Sequence, residues 1–292
     1  MRVTENMRYS SVATNLAGLN SRQAAAAQQA QTGLRVNLPS DDPIAAAQLA
    51  RLSASQAQVT ARRSTISSVR GDAELAESSL QQASDLMANA KELAVQGGNG
   101  TLGAPERASL ALQVKDIRDQ LVGIANTKGS AGYLFGGSQT QAKPFADDGT
   151  FSGDDESHVV DIGNSTPTAV NASGAKAFTV AGGRDVLSDL DSLYTALNTN
   201  DTAGVTATLT NLDTSRSQIT NAQAAAGIII NRLDTSDAVQ SSVALQNSTS
   251  TNEIGAVDAA TAYTTLTQLN NSLQQSVSVS KTILDLAAFK QF

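Results

Sequence analysis

Apolar positions recur along this chain with the period of a helix, and the stretches that carry the pattern differ in strength. In the first, Val12, Leu16, Leu19, Gln23, Ala26 and Ala30 follow steps of four and three residues, which places them on one helical stripe. The second runs from about Ile44 to Val95 and is the strongest: Leu52, Val59, Ile66, Ala73, Leu80, Met87 and Ala94 recur every seven residues. Val69, Ala76, Ala83 and Ala90 complete the seam in the later heptads. So sustained a repeat predicts a coiled-coil-like helix, about 75–80 Å long at about 1.5 Å per residue. Its alanines predict a closely approaching partner. Gly97-Gly98-Asn99-Gly100 then breaks the pattern, and Pro105-Glu106 opens a third helix with its apolar face at Leu110, Val114, Ile117, Leu121 and Ile124. These two helices are expected to form an antiparallel hairpin.

From Ser138 to Gly183 the helical period vanishes. Short apolar clusters (Phe145, Phe151, Val159-Val160, Ile162, Val170, Ala177-Phe178-Thr179-Val180) alternate with turn signals such as Asp148-Gly149 and Ser173-Gly174, which predicts a small β-rich insertion. Helices resume near Asp185, first a short one (Leu187, Leu190, Leu193 or Tyr194, Leu197), then a long one on Val205, Leu209, Leu212, Ile219, Ala226, Ile230 and Leu233. A last amphipathic region carries Ile254, Val257, Leu266, Leu269, Leu273, Val277, Ile283 and Leu286. It is rich in Ser, Thr, Asn and Gln, so its helix is expected to be ordered by its partners more than by intrinsic propensity.

Two helical halves thus bracket one insertion, and the flanking helices must return alongside each other. The expected fold is mainly α: an elongated helical bundle or coiled coil formed by the N- and C-terminal halves, with a small β-rich insertion. Residues 1–50 with 240–292 form a terminal coiled-coil assembly domain, 51–137 with 184–239 a helical rod, and 138–183 a variable outer insertion.

Composition sharpens this picture. Apolar residues are 40% of the 292, but aromatics only 3%, and tryptophan is absent, which suits narrow helix–helix seams better than a wide core. The net charge of −7, four of it in the insertion, argues against a phosphate-binding surface. No run of 18 apolar residues is present, and the start lacks the basic-then-apolar layout of a cleavable secretory signal. The absence of cysteine removes disulfides, thiolate zinc sites and cysteine nucleophiles, and a single histidine, His158, removes paired-histidine metal sites. The Asp154-Asp155-Glu156 run reads as a solvated turn before it reads as a cation site. Arg62, Arg63 and Arg70 lie off the apolar stripe of the second helix, an exposed face by default but able to pair with a neighbouring subunit. No catalytic residue, cofactor or metal ligand is assigned.

One short segment is far more specific. Residues 33–47 read Gly33-Leu-Arg35-Val36-Asn37-Leu-Pro39-Ser40-Asp41-Asp42-Pro43-Ile-Ala-Ala-Ala47. Pro39 turns Leu38 away from helix, Ser40, Asp41 and Asp42 can cap the next helix, Pro43 fits its first turn, and Gly33 suits a left-handed helix end. The reading from residue types alone is a capped helix–turn–helix connection. A metal site at Asp41 and Asp42 lacks further nearby carboxylates. The segment also closely resembles the G-x-R-V-N-x-P-S-D-D-P-x-A-A signature of the bacterial flagellin superfamily. Its prolines resemble the hook–filament junction branch more than filament flagellins, which usually read I-N-S-A-x-D-D-A-A-G there. Met1-Arg-Val-Thr-Glu-Asn-Met-Arg-Tyr9, Gly132-Tyr-Leu-Phe-Gly-Gly137 with Lys143-Pro-Phe145, and Gly182-Gly-Arg-Asp-Val186 add to the resemblance. The closing Ile283-Leu-Asp-Leu-Ala-Ala-Phe-Lys-Gln-Phe292 departs from the usual flagellin ending.

The resemblance implies a non-enzymatic structural subunit that couples hook to filament, with a short filament flagellin as the alternative. It implies export, without a cleaved signal peptide, through the flagellar type III apparatus with an export chaperone, to an extracellular place in the flagellum. Partners would be copies of the chain in a ring, a neighbouring hook-associated protein and flagellin. Assembly would run through Val12, Leu16, Leu19, Ile254, Val257, Leu266, Leu269, Leu273, Val277, Ile283 and Leu286, with terminal helices that order on assembly.

Overall fold

The computed structural model describes residues 2–163 and 167–289, with side chains described from Met7 to Thr282 apart from Arg8 and 164–166. Helices dominate. They are α1 (Arg2–Thr32), α2 (Pro43–Gly97), α3 (Ala104–Ala125), α4 (Gly174–Phe178), α5 (Val186–Asn198), α6 (Thr202–Gly255) and α7 (Ala259–Phe289). Strands among the described residues are two-residue ladders. β1 (Lys128–Gly129) pairs antiparallel with β2 (Gly132–Tyr133), and β3 (Val159–Val160) with β4 (Thr168–Ala169). The chain divides into two compact units, Met1–Gln58 with Val243–Phe292, and Val59–Ser242.

In the 59–242 unit the heptads of α2 do what their spacing predicts. Leu80, Ala83, Met87, Ala90 and Ala94 are wholly buried, and Val59, Ile66, Ala73 and Ala76 nearly so. From Ala76 to Ala94 the seam clusters with Leu110, Val114, Ile117 and Leu121 of α3, Leu187, Leu190, Leu193 and Leu197 of α5, and Val205, Leu212 and Ile219 of α6, whereas Ile66 packs with Ile162, Val170 and Leu233. The α2–α3 hairpin turns at Gly97–Gly103, with Pro105 in the first turn of α3 and Gly103 as its cap. Arg107, buried, donates to the carbonyls of Gly97 and Asn99 and to the side chain of Asn200, so one guanidinium closes the end of α2. Asn200 holds a left-handed backbone (φ 57°) between α5 and α6. Along the flank, Lys91–Asp213, Gln81–Gln223, Arg70–Asp234 and Arg63–Asp237 fix α6 antiparallel to α2, since partner numbers rise as α2 descends.

Arg62, Arg63 and Arg70 find acidic partners within the chain, at Asp161, Asp237, and Glu74 with Asp234. The insertion also differs in detail from its strand-like pattern. Ala177 and Phe178 close the short helix α4, capped by the Ser173 hydroxyl, and Val180 opens a 3-10 turn. The segment is held by a buried aromatic trio in which Phe178 meets Phe135 and Phe145 edge-on at 5.5 and 5.6 Å. Gln218 of α6 secures it from the other side: its amide nitrogen donates to the carbonyls of Ala177, Thr179 and Arg184, and its oxygen accepts from the Arg184 amide.

Candidate assembly site

The 1–58/243–292 unit holds every residue expected to assemble, so its geometry decides what they can do. Helix α1 ends where Gly33 takes a left-handed backbone, φ 70°, a conformation that costs a Cβ-bearing residue about 1 kcal/mol. The chain then runs extended through Leu34 and Arg35, and beside it lies the break between α6 and α7. The Arg35 amide donates to the Gly255 carbonyl (2.7 Å) and the Val257 amide to the Gly33 carbonyl (2.9 Å), an antiparallel bridge around Leu34 and Ala256. The Arg35 guanidinium reinforces it. Its Nε and Nη2 donate to the Ile254 carbonyl (3.3 and 2.9 Å), while Nη1 reaches Asp42 at 3.0 Å.

The rest of the turn explains its own residues. Asp41 Oδ2 accepts from the amides of Asn37 and Leu38, at 3.0 and 2.8 Å, so it closes the turn backwards and does not cap α2. Asp42 is the cap: its Oδ1 accepts from the Ala45 amide, and Pro43 follows as the first helical residue. That amide bond and the Arg35 ion pair hold the Asp42 carboxyl below its ordinary pKa. Asn37 donates to the Leu34 carbonyl, and Thr32 to Asn37. Val36 is buried, whereas Leu38, Pro39 and Ser40 are exposed.

From this joint α1 and α7 run antiparallel, and Gln23 donates to Asn270 at 2.7 Å. Val12, Leu16 and Leu19 are half-buried on α1, and Leu266, Leu269 and Leu273 half-buried on α7. Ala26 and Ala262 are buried. Ile254 falls in the last turn of α6, and Val257 in the break, with Asp258 capping α7 through the Thr261 amide. Val277 is 52% exposed, because the covered stripe of α7 passes through Ser276 and Ser280 instead. The side chains of Ile283 and Leu286 lie outside the described residues.

Sequence reasoning missed two things here: Arg35 as the link between the halves, and the helix break it grips. Asp258 was the available local signal, an Asx cap after Gly255. His158 is exposed, its amide held by Asn171 Oδ1, and Asp154 and Asp155 are taken up by Ser138, and by Ser173 with Lys176. Among the described residues no group of three His, Cys, Asp or Glu is placed to hold a metal, and no helix is long and apolar enough to cross a membrane.

Long terminal helices α1 and α7 paired beside a proline-bearing turn, together with a helical unit that carries one insertion, are the elements of a flagellin-type subunit. Residues 3–140 match the bacterial flagellin N-terminal helical region. Flagellar hook-associated protein 3 of Escherichia coli K12 is 30% identical over 317 aligned positions that cover 99% of both chains. Its namesake from Salmonella typhimurium LT2 is 37% identical over 183 residues, 61% of this chain and 57% of that one. This chain belongs to the flagellar hook-associated protein 3 family. The fold agrees: FlgL of Xanthomonas campestris superposes with a TM-score of 0.61 at 18% identity, over 68% of this chain and 98% of that one. FlgL of Bacillus cereus superposes at 0.58 and 20% identity, over 69% and 97%.

Proposed function

We propose that this chain is a non-enzymatic structural subunit at the junction of the flagellar hook and filament, and that it assembles through α1 and α7. The observation that carries the reading is the incomplete burial of this helix pair in a chain that aligns end to end with a hook-associated protein 3. Pairing α1 with α7 leaves Leu16, Leu19, Leu266, Leu269 and Leu273 half-covered, and Tyr263, Val277 and Val279 exposed by more than half. Closing the open half of one leucine against a neighbouring copy contributes about 1 kcal/mol. A ring of copies repeats that gain along two helices per subunit, against the entropy of ordering them. Partners on either side would be another hook-associated protein and flagellin, with delivery by the flagellar export apparatus and its chaperone.

Immunogold labelling of isolated flagella tests the placement. A single labelled band between hook and filament is the expected result. Label along the whole filament would make the chain a filament flagellin, and flagella without label would remove it from the structure altogether.

A further inference from the structure

Resting on the reading of α1 and α7 as the assembly element, we infer that Arg35 makes the order of these two helices interdependent within one chain. Three helix ends meet at this residue. The last turn of α1 leads into it through Gly33, the last turn of α6 presents the Ile254 carbonyl to it, and Asp42, which it grips, caps α2. The backbone bridge at Leu34 and Ala256 is only two hydrogen bonds long, between segments more than two hundred residues apart in sequence. So short a ladder opens readily when nothing else holds it. The guanidinium supplies what the ladder lacks. Its fork donates to Ile254 with one edge and to Asp42 with the other, in the same rotamer.

That geometry specifies arginine. A lysine ammonium is a point charge that would satisfy Asp42 or the carbonyl, but it has no planar fork to span both. The Arg35 side chain is also 45% exposed, so water competes for each bond and the joint opens and closes instead of locking. When it opens, α7 loses the bond at Val257, only two residues ahead of its first turn. When α7 frays back into the break, Val257 releases the Gly33 carbonyl, the two-bond bridge is halved and α1 loses that anchor at its end. Each helix then stabilises the other through the joint as well as through their shared stripe, which is coupling by order. A subunit built this way presents both assembly helices or neither.

Amide hydrogen exchange on the full-length chain tests the inference, comparing wild type with Arg35→Ala and Arg35→Lys. Both variants are expected to accelerate exchange about tenfold or more at Val257, over 259–266 and over 27–33. Exchange over 110–121 in α3 should stay at its wild-type rate, which excludes general unfolding. Exchange at Val257 within about twofold of wild type in the alanine variant overturns the inference. So does a change confined to 33–42, or a Val257 amide already unprotected in wild type. Protection restored by lysine overturns the role of the fork. Because the measurement is made on the free chain, it can fail while labelling still finds the junction band, and the reverse.

Discussion

The sharpest test of how the insertion is held is Gln218→Leu. The side chain is buried and its amide makes four hydrogen bonds: to the carbonyls of Ala177 (3.2 Å), Thr179 (3.0 Å) and Arg184 (3.0 Å), and from the Arg184 amide (2.9 Å). Leucine keeps the volume and removes all four. The Thr179 carbonyl keeps a second partner in the Gly182 amide, so its loss is small. The Arg184 amide and the remaining carbonyls lose theirs, and each buried group left unpaired costs about 1–3 kcal/mol. Leucine recovers some apolar burial, which brings the expected net loss to about 3 kcal/mol. For a unit of this size that lowers the midpoint of thermal unfolding by about 6–12 °C, readable by circular dichroism at 222 nm. Gln223→Leu is the control. It lies on the same helix as Gln218, and its amide bonds Gln81 of α2 at 2.8 Å in an exposed position, so the change should stay within about 0.5 kcal/mol. A Gln218→Leu loss below about 1 kcal/mol refutes the reasoning. So does a full loss that leaves amides 177–184 as protected as in wild type.

Further outcomes follow from the same geometry. Phe178→Ala, at 1% exposure between Phe135 and Phe145, should cost about 3–5 kcal/mol in urea unfolding. The Ser138 hydroxyl and amide hold the Asp154 carboxyl below the ordinary carboxylate range, as the Ser173 hydroxyl and then Lys176 hold Asp155. A depressed folded pKa contributes stability above the unfolded value of about 3.9 and loses it as pH falls through the folded value. The urea midpoint should therefore be flat above about pH 5 and drop below about pH 4, with a shallower drop in an Asp154→Asn, Asp155→Asn double variant. Val277→Asp should leave the free chain's unfolding within about 0.5 kcal/mol of wild type yet prevent its incorporation into flagella, scored by the labelling described above. Normal incorporation of that variant would remove the open face of α7 from the assembly surface.

How much of this was legible depends on what held each element. The α2 seam could be read residue by residue because its cause, burial at a constant period, is written at a constant period. The hairpin was legible for the same reason, with Gly97-Gly98 and Pro105 as punctuation. Helix α6 was harder. Its stripe continues past Leu233 through Ser236, Gln240 and Asn247, which are buried but polar, so a count of apolar residues fades although the helix runs on to Gly255. On α7 the same blindness picked Val277 over the adjoining Ser276. The Gly33–Arg35 joint was half legible: Gly33, Asp42 and Pro43 have local causes, whereas the Arg35 role comes from a carbonyl 219 positions away. The insertion is fastened by side-chain-to-backbone bonds and three phenylalanines, neither of which has a period to detect.

Those buried polar groups also settle a problem that periodicity alone leaves open. An antiparallel pair with alanine-rich heptads repeats itself every seven residues, so a slip of one heptad would still bury mostly small apolar side chains. Three buried polar positions of α6 remove that degeneracy by requiring particular partners. Ser215 donates to Asp189 at 2.6 Å, Gln218 requires the loop at Ala177–Arg184, and Ser236 donates to the Ile162 carbonyl at 2.5 Å. A one-heptad slip would carry each of them about 10 Å along the axis and strand it in an apolar seam. At about 1–3 kcal/mol for each unpaired group, three such positions disfavour the slipped register by about 3–9 kcal/mol. Apolar spacing thus chooses helix pairing, and the polar interruptions choose which of its registers is the fold.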